Sequence, residues 1–253
     1  MKDTILQVRR LCKNFSGLVA VDQVSIDVRS GELHAVIGPN GAGKTTLVNL
    51  LSGDFSASSG TILFHGRDIS RLAAEKRSRL GIGRSYQKIN IFPSFTVFEN
   101  CRLAAQSRAP RTLRWLRDAR TYESVMNQAL QALDAVGLTS RADEPALTLS
   151  HGEQRQLEIG MCLATEPELL LLDEPLAGMG VEESAKMIEL IGRLSEDHAL
   201  LLIEHDMDAV FQLAKVLTVM VNGKVLATGT REEIRANREV QTAYLGAIED
   251  PLA

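Results

Sequence analysis

The chain has 253 residues; 28 Lys and Arg against 32 Asp and Glu leave a formal net charge of −4, and 45% of the residues are hydrophobic. That length supports one large or two modest domains with a core of their own, so neither disulfides nor a metal clip is needed for folding. No apolar run reaches the ~18–20 residues of a membrane span, and the acidic balance argues against a protein that works by neutralising nucleic-acid phosphates.

At the N-terminus, Lys2, Asp3, Arg9 and Arg10 interrupt any apolar stretch. A signal-peptide core is therefore absent, and a cytoplasmic location is expected. Residues 5–37 alternate apolar stretches with polar turns, and the pattern predicts strands over 24–28 and 33–37. A glycine-rich turn from Gly38 leads into a predicted helix over 44–51. Strands are expected over 61–64 and 82–86, with a charged helical segment over 72–80 between them. From about 96 to 165 the strand signals vanish, and Val125, Ala129, Leu133 and Val136 recur at helical spacing. This region reads as a helical insertion, at its plainest a bundle that only packs. The basic run over 108–120 reads as a solvated helix face rather than a nucleic-acid site. Three short apolar runs follow, over 169–172, 199–203 and 216–221, separated by helical stretches such as 181–196. They carry the pattern of buried parallel strands, so the core is α/β. Cys12, Cys101 and Cys162 are widely spaced, odd in number and without a CxxC, which argues against a disulfide framework or zinc site and fits a reducing compartment.

Gly38, Pro39, Asn40, Gly41, Ala42, Gly43, Lys44 and Thr45 satisfy G-x4-G-K-[ST] between an apolar strand and a helix. Glycines let successive N–H groups turn inward, and the helix N-terminus adds positive potential. Lys44 reaches the outer phosphates, and Thr45 offers its hydroxyl to Mg²⁺. Thr46 continues the binding run. A glycine-rich turn without a ligand is the bland alternative, and the string in this context outweighs it. The second element is the leucine run ending in Asp173 and Glu174, an acidic tip at the carboxyl edge of a sheet. By itself it reads equally well as a surface strand end. Beside a phosphate loop, Asp173 reads as a magnesium ligand and Glu174 as the group that polarises the attacking water. The third element is Leu149-Ser150-His151-Gly152-Glu153-Gln154, where Ser150 and Gly152 at a helix start form a second anion site or an ordinary N-cap box.

This third stretch resembles the LSGGQ signature of ABC ATPases, with His151 and Glu153 departing from the consensus. The resemblance runs from about Leu6 to Leu245. It implies a P-loop ATPase core of mostly parallel sheet with an N-terminal antiparallel β subdomain and a helical insertion. The whole chain is then one domain, with a core over about 1–95 and 166–253 and a helical subdomain over about 96–165. It also implies head-to-tail pairing, each signature closing on the ATP of a second ATPase subunit, the same or a similar chain. By the same resemblance Phe15 stacks on adenine, Gln87 touches Mg²⁺ and connects to the membrane partner, and His205 contacts the γ-phosphate. Gly180 stands where many relatives carry an aspartate. Narrower stretches, 15–21, 83–87 with Phe92-Pro93, 177–179 and 202–207, are similar to ATPases of branched-chain (hydrophobic) amino acid importers. Ser150-His151-Gly152 also looks like ATPases of urea or short-amide importers. The expected function is therefore an ATPase subunit, peripheral on the cytoplasmic face of the inner membrane. It energises integral-membrane permease subunits served indirectly by a solute-binding protein, with no nucleic acid among its partners. A soluble ABC ATPase of DNA repair or translation is the alternative, disfavoured by a single nucleotide-binding unit without a long coiled coil or basic tail. A P-loop metabolic kinase leaves the signature-like stretch and His205 without a role.

Overall fold

A computed structural model describes residues 3–108 and 123–245, so most of the basic run lies outside the described residues. β1 (Thr4–Phe15) and β2 (Leu18–Arg29) form a long antiparallel hairpin. β3 (Leu33–Ile37) passes through the glycine-rich turn into α1 (Lys44–Ser52). β4 (Ser59–Phe64) and β5 (Arg67–Asp68) complete an antiparallel sheet ordered β2-β1-β4-β5. After α2 (Ala74–Arg79) and β6 (Ile82–Arg84) come α3 (Val97–Gln106), α4 (Glu123–Ala135) and α5 (His151–Leu163). The chain then runs through β7 (Leu169–Asp173), α6 (Val181–Asp197), β8 (Ala199–Ile203), α7 (Met207–Leu213) and β9 (Val216–Val221). β10 (Lys224–Gly229), α8 (Arg231–Ala236) and α9 (Arg238–Leu245) close it. The second sheet is ordered β10-β9-β3-β8-β7-β6 and is parallel except for β10 against β9. The expected α/β architecture is thus present: a mostly parallel sheet, an antiparallel N-terminal sheet and inserted helices.

The leucine run of β7 shows why its sequence lacks polar alternation. Leu169 and Leu171 pack toward the antiparallel sheet and α1, whereas Leu170 and Leu172 pack toward the helices on the other face. All four are fully buried, each worth ~1.5–3 kcal/mol relative to exposure. Among the inserted helices, Val125, Ala129, Leu133 and Val136 are buried as their spacing predicts, and α3, α4 and α5 pack on one another. Gly160 permits the close approach of α5, since a Cβ there would lie 3.1 Å from Val136 Cγ2.

Three expectations change in extent. The strand predicted over 24–28 is part of a continuous β2, because its residues pair with β1 on both sides of that stretch. The strand predicted over 82–86 stops at Arg84: the Tyr86 N–H leaves the sheet and donates to Glu158 Oε1 of α5 at 3.1 Å. The helix predicted over 72–80 shortens to α2, where Arg77 takes on a structural task. It is 1% exposed and donates to Leu50 O (2.6 Å), Leu51 O (2.9 Å), Leu72 O (2.9 Å) and Ser70 O (3.0 Å). Two of these are end carbonyls of α1, which lack intrahelical partners. Burial pulls the Arg77 pKa down to about 10, so it remains charged at neutral pH. Arg77→Met is expected to cost about 3 kcal/mol or more in urea denaturation, because each stranded buried carbonyl costs ~1–3 kcal/mol. A midpoint equal to the parent's would remove this role.

Candidate functional site

β3 ends against α1 with the loop 38–43 between them, and two glycines there are required by packing. A Cβ on Gly38 would sit 2.1 Å from Met220 O, and one on Gly43 (φ +98°) 2.3 Å from Ala20 O. The N–H groups of Asn40, Gly41 and Gly43 find no acceptor among the described residues. Lys44, 6% exposed, curls back and donates from Nζ to Gly38 O (2.7 Å) and Pro39 O (3.1 Å). Burial pulls its ammonium below the ordinary lysine value, while Glu174, Asp173 and Glu204 oppose that pull. Asn40 through Thr46 line a cleft of about 500 Å³, joined by Gln87 and Glu174 on the far side. The loop N–H groups and Lys44 give this cleft the donors that a polyphosphate needs, and among the described residues Glu174 is the one acid lining it.

Asp173 closes β7 and is fully buried, with neither carboxylate oxygen hydrogen-bonded among the described residues. Arg84 Nη2 stands 3.7 Å from it. Burial raises the carboxyl above the usual range, and the Arg84 charge opposes the shift. An orphaned carboxylate, the Thr45 hydroxyl and the Gln87 amide are hard oxygen donors that fit Mg²⁺, which binds through few protein oxygens together with substrate phosphates. Glu174 leaves the strand with φ +48°, a left-handed turn costing about 1–2 kcal/mol for a residue with a Cβ. Its N–H is held on Ile203 O at 2.9 Å, and its carboxylate lies 3.4 Å from Gln87 Nε2. Glu174 lines the cleft, whereas Asp173 is fully buried and does not line it.

Ser150 caps α5 in a reciprocal box: its Oγ accepts from the Glu153 N–H at 3.3 Å, and Glu153 Oε2 accepts from the Ser150 N–H at 2.8 Å. The glutamate that departs from the signature consensus is thus a structural cap. Gly152 is buried in the same first turn, and both residues contact Glu183 of α6.

The structure brings Lys44, Thr45, Thr46, Gln87 and Glu174 to one cleft. Phe15 does not line that cleft; it packs edge-on against Phe55 at 5.5 Å, with Lys13 Nζ 4.8 Å from its ring. His205 does not line it either, and its side chain is 62% exposed beside Glu204. Sequence reasoning missed two groups. Glu204, fully buried, accepts from the N–H of Leu176 (2.9 Å) and of His205 (3.1 Å), tying the segment after Glu174 to the end of β8. Leu18, Val19, Ala20, Asn222 and Gly223 form the near wall of the cleft. The turn signal of Asn222-Gly223 was present, but only the strand order places that hairpin beside the loop.

Residues 21–177 match the family model described as ABC transporter, and residues 224–250 match that of a branched-chain amino acid ATP-binding cassette transporter. The chain is 39% identical to the high-affinity branched-chain amino acid transport ATP-binding protein LivG of Salmonella typhimurium and 39% identical to its counterpart BraF of Pseudomonas aeruginosa. In both comparisons 97% of this chain and 99% of the relative are covered. A solved ATP-binding cassette of an ABC transporter in its ADP conformation superposes with a TM-score of 0.85 at 29% identity. It covers 96% of this chain and 99% of that one.

Proposed function

Since the chain belongs to the ABC transporter family of ATP-binding proteins, we propose that it is the ATP-hydrolysing subunit of a membrane importer for branched-chain or other hydrophobic amino acids. The observation that carries this reading is the cleft in which Lys44 and the loop N–H groups face Glu174 and Gln87, together with near full-length likeness to LivG and BraF.

In this reading the N–H groups of residues 38–43 and Lys44 take the phosphates, replacing the carbonyls that Lys44 now contacts. Thr45 and Gln87 in the cleft, with the buried Asp173 next to Glu174, would hold Mg²⁺, which would neutralise phosphate charge. Glu174 orients the attacking water and accepts its proton, and His205 steadies the γ-phosphate. Phe15, which does not line the cleft, is assigned to the adenine by the resemblance alone. Ser150 and Gly152 take the phosphate of the nucleotide held by a second cassette, the same or a similar chain, as the resemblance implies. We assign the described residues over 96–108 and 123–165 to a helical lobe of a single domain.

Among the described residues no helix is long and apolar enough to cross a membrane. Transport therefore calls for separate permease subunits, and the chain works as a peripheral subunit at the inner membrane. The docking surface we favour follows Gln87. There Phe92 and Phe95 stack at 5.5 Å and are 48% and 39% exposed, with Leu147 (60% exposed) beside Pro93. In inside-out or proteoliposome preparations of the assembled transporter, ATP-driven movement of labelled leucine is expected, and urea should not be moved. Movement of urea alone overturns the solute assignment. In the same preparation, cysteines at Phe92 or Phe95 should crosslink to permease cytoplasmic loops; no crosslink in an active complex removes the docking surface.

A further inference from the structure

The first turn of α5 already carries an anion. Ser150 Oγ donates to Glu183 Oε1 at 2.9 Å, and the Gly152 N–H reaches the same oxygen at 3.3 Å. The Glu183 side chain fills the space in front of this turn so closely that a Cβ on Gly152 would lie 2.9 Å from its carboxyl carbon. The hydrogen bond from Ser150, foremost among the causes, holds the Glu183 carboxyl below the usual range, so it is ionised at neutral pH. Arg141 also lines the cleft of about 430 Å³ here, but it is engaged by Glu144 (2.7 Å) and Glu153 (2.8 Å).

A hydroxyl proton and an N–H that point at one carboxylate oxygen cannot serve a phosphate oxygen at the same time, and two anions at one helix start repel. We propose that Glu183 is an intramolecular ligand of the signature-like site, competing with the phosphate of the nucleotide carried by the partner cassette. The inference rests on the reading of Ser150 and Gly152 as phosphate contacts across a cassette pair. Closure of the pair then requires the carboxylate to move off Ser150 and Gly152 first. A site free only part of the time binds with its intrinsic affinity reduced by that fraction. The fold also supplies a route for coupling. Glu183 starts the helix that follows the loop from Glu174, and Glu204 anchors that loop at Leu176.

The test uses the purified transporter complex that contains this chain and reads the ATP concentration for half-maximal hydrolysis. If the carboxylate occupies the site most of the time, Glu183→Gln should lower that concentration roughly three- to tenfold. Glu183→Asp, one methylene shorter, should fall between it and the parent. Binding of a fluorescent ATP analogue to the isolated chain, which reads the cleft of Lys44, should keep the parent's affinity. A half-saturating concentration that stays the same or rises in Glu183→Gln overturns the competition. Ser150→Ala separates the two levels of the argument. If Ser150→Ala raises half-saturating ATP while Glu183→Gln fails to lower it, only the competition is lost. If Ser150→Ala has no effect either, the phosphate reading of Ser150 falls with it.

Discussion

Lys44→Ala is expected to lower ATP affinity by about 10²-fold or more and to leave no measurable hydrolysis. The loop N–H groups supply dipoles, whereas Lys44 supplies the one full positive charge of the loop, and hydrogen bonds from a charged donor contribute ~1.5–3 kcal/mol each. Two such bonds, now made to Gly38 O and Pro39 O, measure what the ammonium can give to phosphate oxygens. Nζ already sits beside the loop, and its bonds to Gly38 O and Pro39 O are exchanged for phosphate oxygens when nucleotide arrives. Titration with a fluorescent ATP analogue and a phosphate-release assay check the result. Normal affinity with normal turnover would overturn the phosphate-cradle assignment. Lys44→Met, of similar volume, guards against a loss that comes only from a cavity beside α1.

Glu174→Gln separates binding from chemistry. The amide keeps the shape of the side chain, and with it the contact to Gln87 and the turn at φ +48°, but it loses the basicity needed to accept a proton from water. Removing a general base typically costs ~10²–10⁴-fold in rate, while Lys44 and the loop still bind ATP. Hydrolysis should drop by that factor with ATP affinity close to the parent's, and ATP should accumulate and hold the cassette pair closed. Rapid-quench kinetics on the assembled transporter measure the first effect, and size-exclusion chromatography with ATP reads the second. A Glu174→Gln protein that hydrolyses ATP at the parent rate rules out this carboxylate as the base, whatever its oligomeric state.

Local signals made the phosphate loop, the acidic strand and the α5 cap legible in the sequence, because each is built from residues adjacent in the chain. A loop with G-x4-G-K-[ST] between strand and helix has few conformations open to it, and beside it four leucines ending in two acids read as a buried strand with a polar tip. The N-cap box at Ser150 was legible for the same reason, since its reciprocal partner Glu153 is three residues away. Strand limits were less legible. Residues 82–86 share one apolar pattern, yet Tyr86 leaves the sheet for a carboxylate of α5 that is distant in sequence.

What the amino-acid order alone determined was the α/β class, the glycine-rich turn between strand and helix and the pairing of Asp173 with Glu174, all of which follow from hydrogen bonds and burial within a few residues. Only the tertiary structure decided which way each acid faces, since the turn at Glu174 depends on Ile203 O of a neighbouring strand. The tertiary structure likewise seated Glu183 on Ser150 and Gly152 and placed Phe15 against Phe55. Each of these contacts joins segments brought together by sheet order and helix packing, and side-chain patterns along a single segment carry no information about a partner that the fold supplies from elsewhere.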